Sequence, residues 1–215
     1  MERILKRVFD FILAIILGVI AIPILMISCV FVYLLSPESS PIFRQVRIGY
    51  MGKPFTMLKL RTMTNEMDAE GNLLPDDRRL KWWGKCIRKT NIDELTQIVH
   101  ILTGEMSFIG PRPLLPKEML VMTTCEQKQR QSVLPGIVGW ESVNEEKSSS
   151  RAEMAQYDLY YVKNWSLFLD CKIFLLTAYK LFSFSRPDDA LRAPKLLDAE
   201  INAAMEKDEK ESQNE

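Results

Sequence analysis

The stretch FILAIILGVIAIPILMISCVFVYLLSP, Phe11 to Pro37, contains no charged residue. As a helix rising ~1.5 Å per residue it is longer than the ~30 Å hydrocarbon core of a bilayer. A cleaved signal peptide fits poorly, because the apolar run is too long and no small-x-small site follows it. It reads as a membrane segment. Pro23 stands at its centre, where it removes a backbone donor and sets its ring against the carbonyl of Val19. Arg3, Lys6 and Arg7 precede the segment and Arg44, Arg47 and Lys53 follow it, so the positive-inside rule draws both ends to the cytoplasm. A helix that enters, breaks at Pro23 and returns satisfies both flanks. A single kinked transmembrane helix is the alternative, since proline is tolerated there. Either way the chemistry falls to the rest of the chain.

That chain has 215 residues, 47% of them hydrophobic, enough for one medium-sized domain with a core plus an appendage. Lys+Arg and Asp+Glu are both 28, and this balance argues against a nucleic-acid binder. Cys29, Cys86, Cys125 and Cys171 are scattered without a CxxC pair, which argues against a disulfide framework or a cysteine zinc site. His100 is the one histidine, so a His-rich metal cluster is excluded and any metal is expected to be oxygen-ligated, which favours magnesium.

Residues 41–63, PIFRQVRIGYMGKPFTMLKLRTM, alternate apolar and basic residues around Gly49, Gly52 and Pro54, the pattern of a short hairpin. Lys59 and Arg61 are two apart, so in a strand they share a face. TNEMDAEGNLLPDDRR is a polar loop with a Gly-Asn turn. DELTQIVHILTG is a helix closed by Gly104. SFIGPRPLLP has too many prolines for a helix and presents Arg112 from an extended segment. KEMLVMTTCEQKQRQSV, SRAEMAQYDLYYV and NWSLFLDCKIFLLTAYKLFSF are helical, with LPGIVGW as an apolar turn between the first two. The last helix suits the membrane interface or a core equally well. The expected architecture is α/β and mainly helical, with an anchor at 1–38, a small domain at 39–185 and a charged tail at 186–215.

Within KTNIDELTQ, Lys89 to Gln97, two carboxylates stand side by side at Asp93 and Glu94. Asn91 and Glu94 have capping-box spacing, as do Thr90 and Asp93, so an ordinary helix start explains the nonapeptide. The wider set of Lys59, Arg61, Arg88, Arg112, Asp93 and Glu94 suits a phosphate-bearing substrate instead. Arginine and lysine neutralise phosphate oxygens, and a carboxylate binds magnesium or attacks phosphorus. No Walker A loop and no GxGxxG is present. From the residues alone this is a membrane-anchored enzyme acting on phosphate esters.

Several motifs together resemble the monotopic phosphoglycosyl transferases, or bacterial sugar transferases: RVFDFILAIILGVIAIPIL, the hairpin stretch, IRKTNIDELTQ, GEMSFIGPRPLLP, LPGIVGW and YDLYYVKNWSLFLDCKI. The resemblance implies a re-entrant helix-break-helix at Pro23 in the cytoplasmic leaflet of the bacterial inner membrane. With it goes a cytoplasmic domain carrying a short hairpin and interfacial amphipathic helices. It implies transfer of a sugar-1-phosphate from a nucleoside diphosphate sugar, usually a UDP-sugar, to polyprenyl (undecaprenyl) phosphate, with Mg2+. Asp93 would be the nucleophile and Glu94 a metal ligand or base, with Asp93 and Glu94 holding the metal. Lys59, Arg61, Arg88 and Arg112 would bind phosphates or nucleotide. Partner expectations include a homo-oligomer or downstream glycosyltransferases, and no nucleic acid.

Three stretches depart from the family pattern. Ile22-Pro23 replaces Ser-Pro, His100 stands where asparagine is frequent, and GWESVNEE replaces Gly-Trp-Ala-Gln-Val-Asn-Gly-Arg. The last departure motivates a competing reading, a membrane-anchored binding or scaffold homologue without turnover. A third reading keeps the chemistry and gives the anchor one true transmembrane span.

Overall fold

The computed structural model describes residues 1–144 and 150–182. Glu145, Glu146 and the predicted tail at 186–215 lie outside the described residues. The fold is mostly helical with two small sheets. In order it comprises α1 (Glu2–Leu35), β1 (Ile42–Ile48), β2 (Pro54–Leu60), α2 (Asp76–Arg79), α3 (Trp82–Thr90), α4 (Gln97–Thr103), β3 (Ser107–Ile109), α5 (Thr124–Arg130), β4 (Gly136–Val138), α6 (Trp140–Asn144), α7 (Arg151–Lys163) and α8 (Leu167–Phe182). These form two compact units that interleave along the sequence. One takes Met1–Arg7, Val46–Phe55 and the chain from Gly104 on; the other takes Val8–Gln45 and Thr56–Thr103.

Among the described residues α1 is the one helix long and apolar enough to cross a membrane. Asp10, Ala14, Gly18, Ala21 and Val32 are buried on it, and Leu25 and Cys29 pack on the core beside Val32. Their spacing of three and four residues is one helical stripe. Ile12, Ile16, Val19, Ile20, Met26, Ile27 and Leu34 remain exposed, a surface suited to lipid. The expected helix break at Pro23 is not found: α1 is helical on both sides of the proline and at the proline itself. Proline deletes one donor, and the turns on either side remain bonded. The buried stripe stays in phase across it, so packing holds both halves in one helix.

In the unit of Val8–Gln45 and Thr56–Thr103, Val32, Leu60, Trp83 and Ile87 form a core, with Leu25, Cys29, Ile42 and Ile92 against it. The expected hairpin is present as β1 and β2. Its turn, within the Val46–Phe55 stretch of the other unit, closes by Gly49 N–H donating to Lys53 O (2.9 Å), with Met51 and Gly52 at φ 54° and 74°.

In the other unit, β3 and β4 pair in parallel, Ser107 opposite Gly136 and Ile109 opposite Val138. This pairing was not expected: three residues per strand are too few to show a period. It needs glycine, because a Cβ on Gly136 would lie 2.1 Å from Gly110 N. Ile109, Tyr161 and Ile173 form the core beside it. The expected helix at 117–133 is split into a 3₁₀ turn at Pro116–Val121 and α5, which Thr123 and Glu126 cap reciprocally. Buried Glu118 accepts from Leu115 N–H (2.7 Å) and Arg47 (3.2 Å), fixing this turn to β1.

The basic start of α1 belongs to this same unit. Lys6 Nζ donates to Asp170 Oδ2 on α8 (2.7 Å), and Arg7 Nη1 donates to Met106 O (3.2 Å). Tyr161 OH donates to Asp170 Oδ1 (2.7 Å) and Trp165 Nε1 to Oδ2 (3.2 Å). Asp170 is 8% exposed, so one buried carboxylate serves three donors. Asp170→Leu strands all three and is expected to cost about 3–5 kcal/mol, read as a lowered melting temperature of the full chain.

Candidate active site

The carboxylates Asp93 and Glu94 are positioned by how α3 ends and β2 is held. α3 buries Trp83 and Ile87 and exposes Trp82, Lys85 and Lys89. Gly84 touches the backbone after β2, and a Cβ there would lie 1.9 Å from Thr62 O. Arg88 is one turn further on the same face, and its Nε donates to Thr62 Oγ1 (3.0 Å).

Asn91 ends α3 in the left-handed region at φ 54°, its N–H bonding back to Arg88 O and Ile87 O. The expected capping boxes are therefore absent. Asn91 makes no side-chain cap, and Thr90 Oγ1 turns back to Cys86 O and Ile87 O. Asp93 and Glu94 lie in a 3₁₀ turn, Ile92–Glu94, before the short α4, and not in the first turn of an α-helix. Gly104 closes α4 at φ 90°, as expected.

The next residues lock this turn to β2. Thr96 Oγ1 donates to Leu58 O (2.6 Å) and to Asp93 O (3.2 Å), and His100 Nε2 accepts from Leu58 N–H (3.0 Å). Both backbone groups of Leu58 are held, so the next residue has a fixed direction. Lys59 Nζ meets Glu94 Oε1 at 3.2 Å. Both side chains are mostly buried, so the pair is better shielded than a surface ion pair. Thr96 and His100 were not selected from sequence. Their signal was available: two polar residues, one turn apart, at otherwise apolar positions.

Burial pushes the Asp93 carboxyl above its ordinary range and the Glu94 charge adds to that, while Lys59 and Arg88 pull it down. Lys59, Arg88, Asp93 and Glu94 thus form one electrostatic group. Arg61 is not among the charges acting on Asp93. β2 ends at Leu60, so the expected shared face with Lys59 does not extend to Arg61. Its Nε donates to Ser40 O (2.6 Å), its Nη1 to Asn65 Oδ1 (2.8 Å), and its guanidinium lies 5.9 Å from the Phe43 ring centre. Arg112 belongs to the other unit, where Arg47, Glu141 and Asp158 are among its charged neighbours. Pro23 lies within α1.

Among the described residues no three Asp, Glu, His or Cys side chains gather as a metal cluster. Two adjacent carboxylates suit magnesium bound jointly with substrate phosphates better than an all-protein cage.

A long apolar helix and a buried carboxylate beside two cations are thus brought together in one unit. The bacterial sugar transferase family matches residues 1–184. The uncharacterized sugar transferase EpsL of Bacillus subtilis (strain 168) is 46% identical over 178 residues, covering 83% of this chain and 87% of that protein. UDP-glucose:undecaprenyl-phosphate glucose-1-phosphate transferase of Escherichia coli (strain K12) is 36% identical over 193 residues, 84% of this chain. The match spans only 41% of that longer relative. Exopolysaccharide production protein ExoY of Sinorhizobium fredii is 32% identical, with 80% of this chain and 83% of that protein covered. The chain belongs to the bacterial sugar transferase family, as the motif resemblance implied.

Gly84→Ala is expected to push α3 from Thr62, withdraw Arg88 and lower stability by ~3 kcal/mol, checked by denaturant unfolding.

Proposed function

We propose that the chain transfers a sugar-1-phosphate from a nucleoside diphosphate sugar, a UDP-sugar foremost, to undecaprenyl or another polyprenyl phosphate. This would be the first membrane step of bacterial glycoconjugate synthesis, at the cytoplasmic face of the inner membrane. The observation that carries this reading is the buried Asp93 carboxyl grouped with Lys59, Arg88 and Glu94, in a unit packed on an apolar helix. Relatives named for glucose-1-phosphate transfer to undecaprenyl phosphate support the same chemistry.

Asp93 attacks the phosphorus that bears the sugar. Its carboxylate oxygen forms the new P–O bond as the pyrophosphate bond breaks, and UMP leaves with that electron pair. A phosphate oxygen of the polyprenyl phosphate then attacks the same phosphorus, and the Asp93 carboxylate leaves. One difficult displacement becomes two easier ones. The raised proton affinity of Asp93 makes its anion the stronger nucleophile. Lys59 and Arg88 hold charge on the phosphate oxygens. For Arg112, a phosphate- or nucleotide-binding role rests on the motif resemblance alone. Glu94 fixes Lys59. Asp93 and Glu94 would hold magnesium, which neutralises the pyrophosphate as it breaks.

The same reading places both flanks of α1 on the cytoplasmic face. Lys6, bonded to Asp170, cannot lie across a ~30 Å core from the domain that holds it. This supports an anchor with both ends on one face over a crossing span.

Two experiments test these points. Full-length protein with magnesium, polyprenyl phosphate and a panel of UDP-sugars should release UMP with at least one donor, and Asp93→Asn should abolish release. Silence from folded wild type with every donor favours the non-catalytic binding homologue. For topology, Glu2→Cys in a background free of the four native cysteines should react with an impermeant thiol reagent only from the cytoplasmic side. Labelling from the outside means a true span.

A further inference from the structure

The unit that contains Arg112 buries a charged set that the reaction steps above leave unused. Arg130, at the end of α5, has a side chain 4% exposed, and Asp158, on α7, one 5% exposed. Arg130 Nε donates to Asp158 Oδ2 (2.8 Å), Nη2 stands 2.6 Å from the same oxygen, and Nη2 also donates to the carbonyl of Arg112. Arg130 therefore ties α5, α7 and the Pro111–Pro113 backbone together.

Two carboxyl oxygens remain. Asp158 Oδ1 and Glu141 Oε2 are both buried, and neither meets a donor among the described residues. A buried acceptor without a donor costs about 1–3 kcal/mol, so two such atoms side by side need an explanation. The two carboxyl groups lie within hydrogen-bonding reach of each other. As two carboxylates they can only repel. With one proton between them, one becomes a donor and both orphaned oxygens are satisfied.

The space is prepared for this. The Glu141 carboxyl folds over its own chain, and a Cβ on Gly139 would lie 1.7 Å from Glu141 Oε2. The charges facing the pair are Arg130 from α5 and Arg112 from the extended segment. On α8, Lys172 stands 5.4 Å from the Trp140 ring centre, and Tyr160 of α7 stacks on that ring at 6.0 Å. Burial and the Asp158 carboxylate push Glu141 up to about 8, with the two arginines opposing. Burial raises Asp158 as well, with Arg130 opposing.

We propose that Glu141 and Asp158 share one proton, and that this acid–carboxylate pair is a positioning device that holds Arg112 through Arg130. With the proton in place, Asp158 is free to bind Arg130, and the single negative charge of the pair is balanced by Arg130 beside Arg112. Loss of the proton to solvent leaves two adjacent buried anions competing for the same two arginines. The assignment of Arg112 as a positioned group rests on the phosphate-binding reading above; the shared proton does not. Glu141 stands where the family pattern has alanine, so the device is a feature of this chain and not of the family pattern.

Both carboxyls hold protons more tightly folded than unfolded, so the native state binds more protons. The stabilisation is complete below the ordinary carboxylate range and is lost as pH rises toward about 8. Glu141→Gln replaces the proton by an amide donor that cannot ionise. Full-length wild type and Glu141→Gln in nanodiscs should be melted at pH 6 and pH 9, with hydrogen exchange read on the peptide covering 107–115. Wild type should lose roughly 5–10 °C more than the variant across that interval. Exchange at 107–115, corrected for intrinsic rates, should accelerate at pH 9 in wild type only. Equal pH dependence in the two proteins overturns the shared proton. So does a flat wild-type melting temperature, which covers a variant that fails to fold. A melting difference with unchanged exchange at 107–115 overturns the positioning of Arg112. Neither readout needs turnover, so a failed transferase reading shows separately, as absent UMP release.

Discussion

The packing of Val32 on α1 against Leu60, Trp83 and Ile87 is the constraint from which the site follows. Trp83, Leu60 and Ile87 each gain about 1.5–3 kcal/mol by leaving water. Val32 gains little by that route, because a residue on an apolar helix already has lipid as its alternative, and its contribution is close packing. The same four residues carry β2, α3 and the apolar helix α1, so Lys59 and Arg88 are set on elements whose inner faces rest on that helix. A charged site is thereby fixed beside an apolar surface. On the proposed function, a lipid-borne phosphate and a water-soluble nucleotide sugar meet in such a place.

From that platform the chemistry is a matter of direction. Gly84 lets α3 touch Thr62, which brings Arg88 to bear. Thr96 and His100 occupy both backbone groups of Leu58, which sends Lys59 to Glu94. The left-handed Asn91 makes α3 stop where it does, and a 3₁₀ turn then offers the two carboxylates together. The cations keep Asp93 ionisable in a buried setting that would otherwise favour its neutral form.

Patterned features were legible in the sequence. The uncharged run to Pro37, the alternation around Gly49 and Gly52, and the stop at Gly104 each follow from local physics. The Asp93–Glu94 pair with Lys59 and Arg88 was legible once several motifs were taken together. Features set by packing were not. Asn91 fits a cap by spacing, and only the closing of α3 against its core gives it a positive φ. Arg61 matches Lys59 in period, but the strand ends one residue too early. Pro23 predicts a break that the in-phase stripe on α1 overrides. Glu141 was not singled out within GWESVNEE, because nothing local announces that Gly139 makes room for its carboxyl or that Asp158 waits on the next helix.

The central claim is that Asp93 forms a bond to phosphorus. Intact-protein mass spectrometry after brief incubation with UDP-sugar and magnesium, with no polyprenyl phosphate present, tests it directly. The account predicts a mass gain of one sugar phosphate, localised to the peptide carrying Asp93 and discharged when polyprenyl phosphate is added. An enzyme that transfers sugar phosphate at full rate yet never shows the adduct, even when quenched within a turnover, would contradict it and point to direct attack by the acceptor.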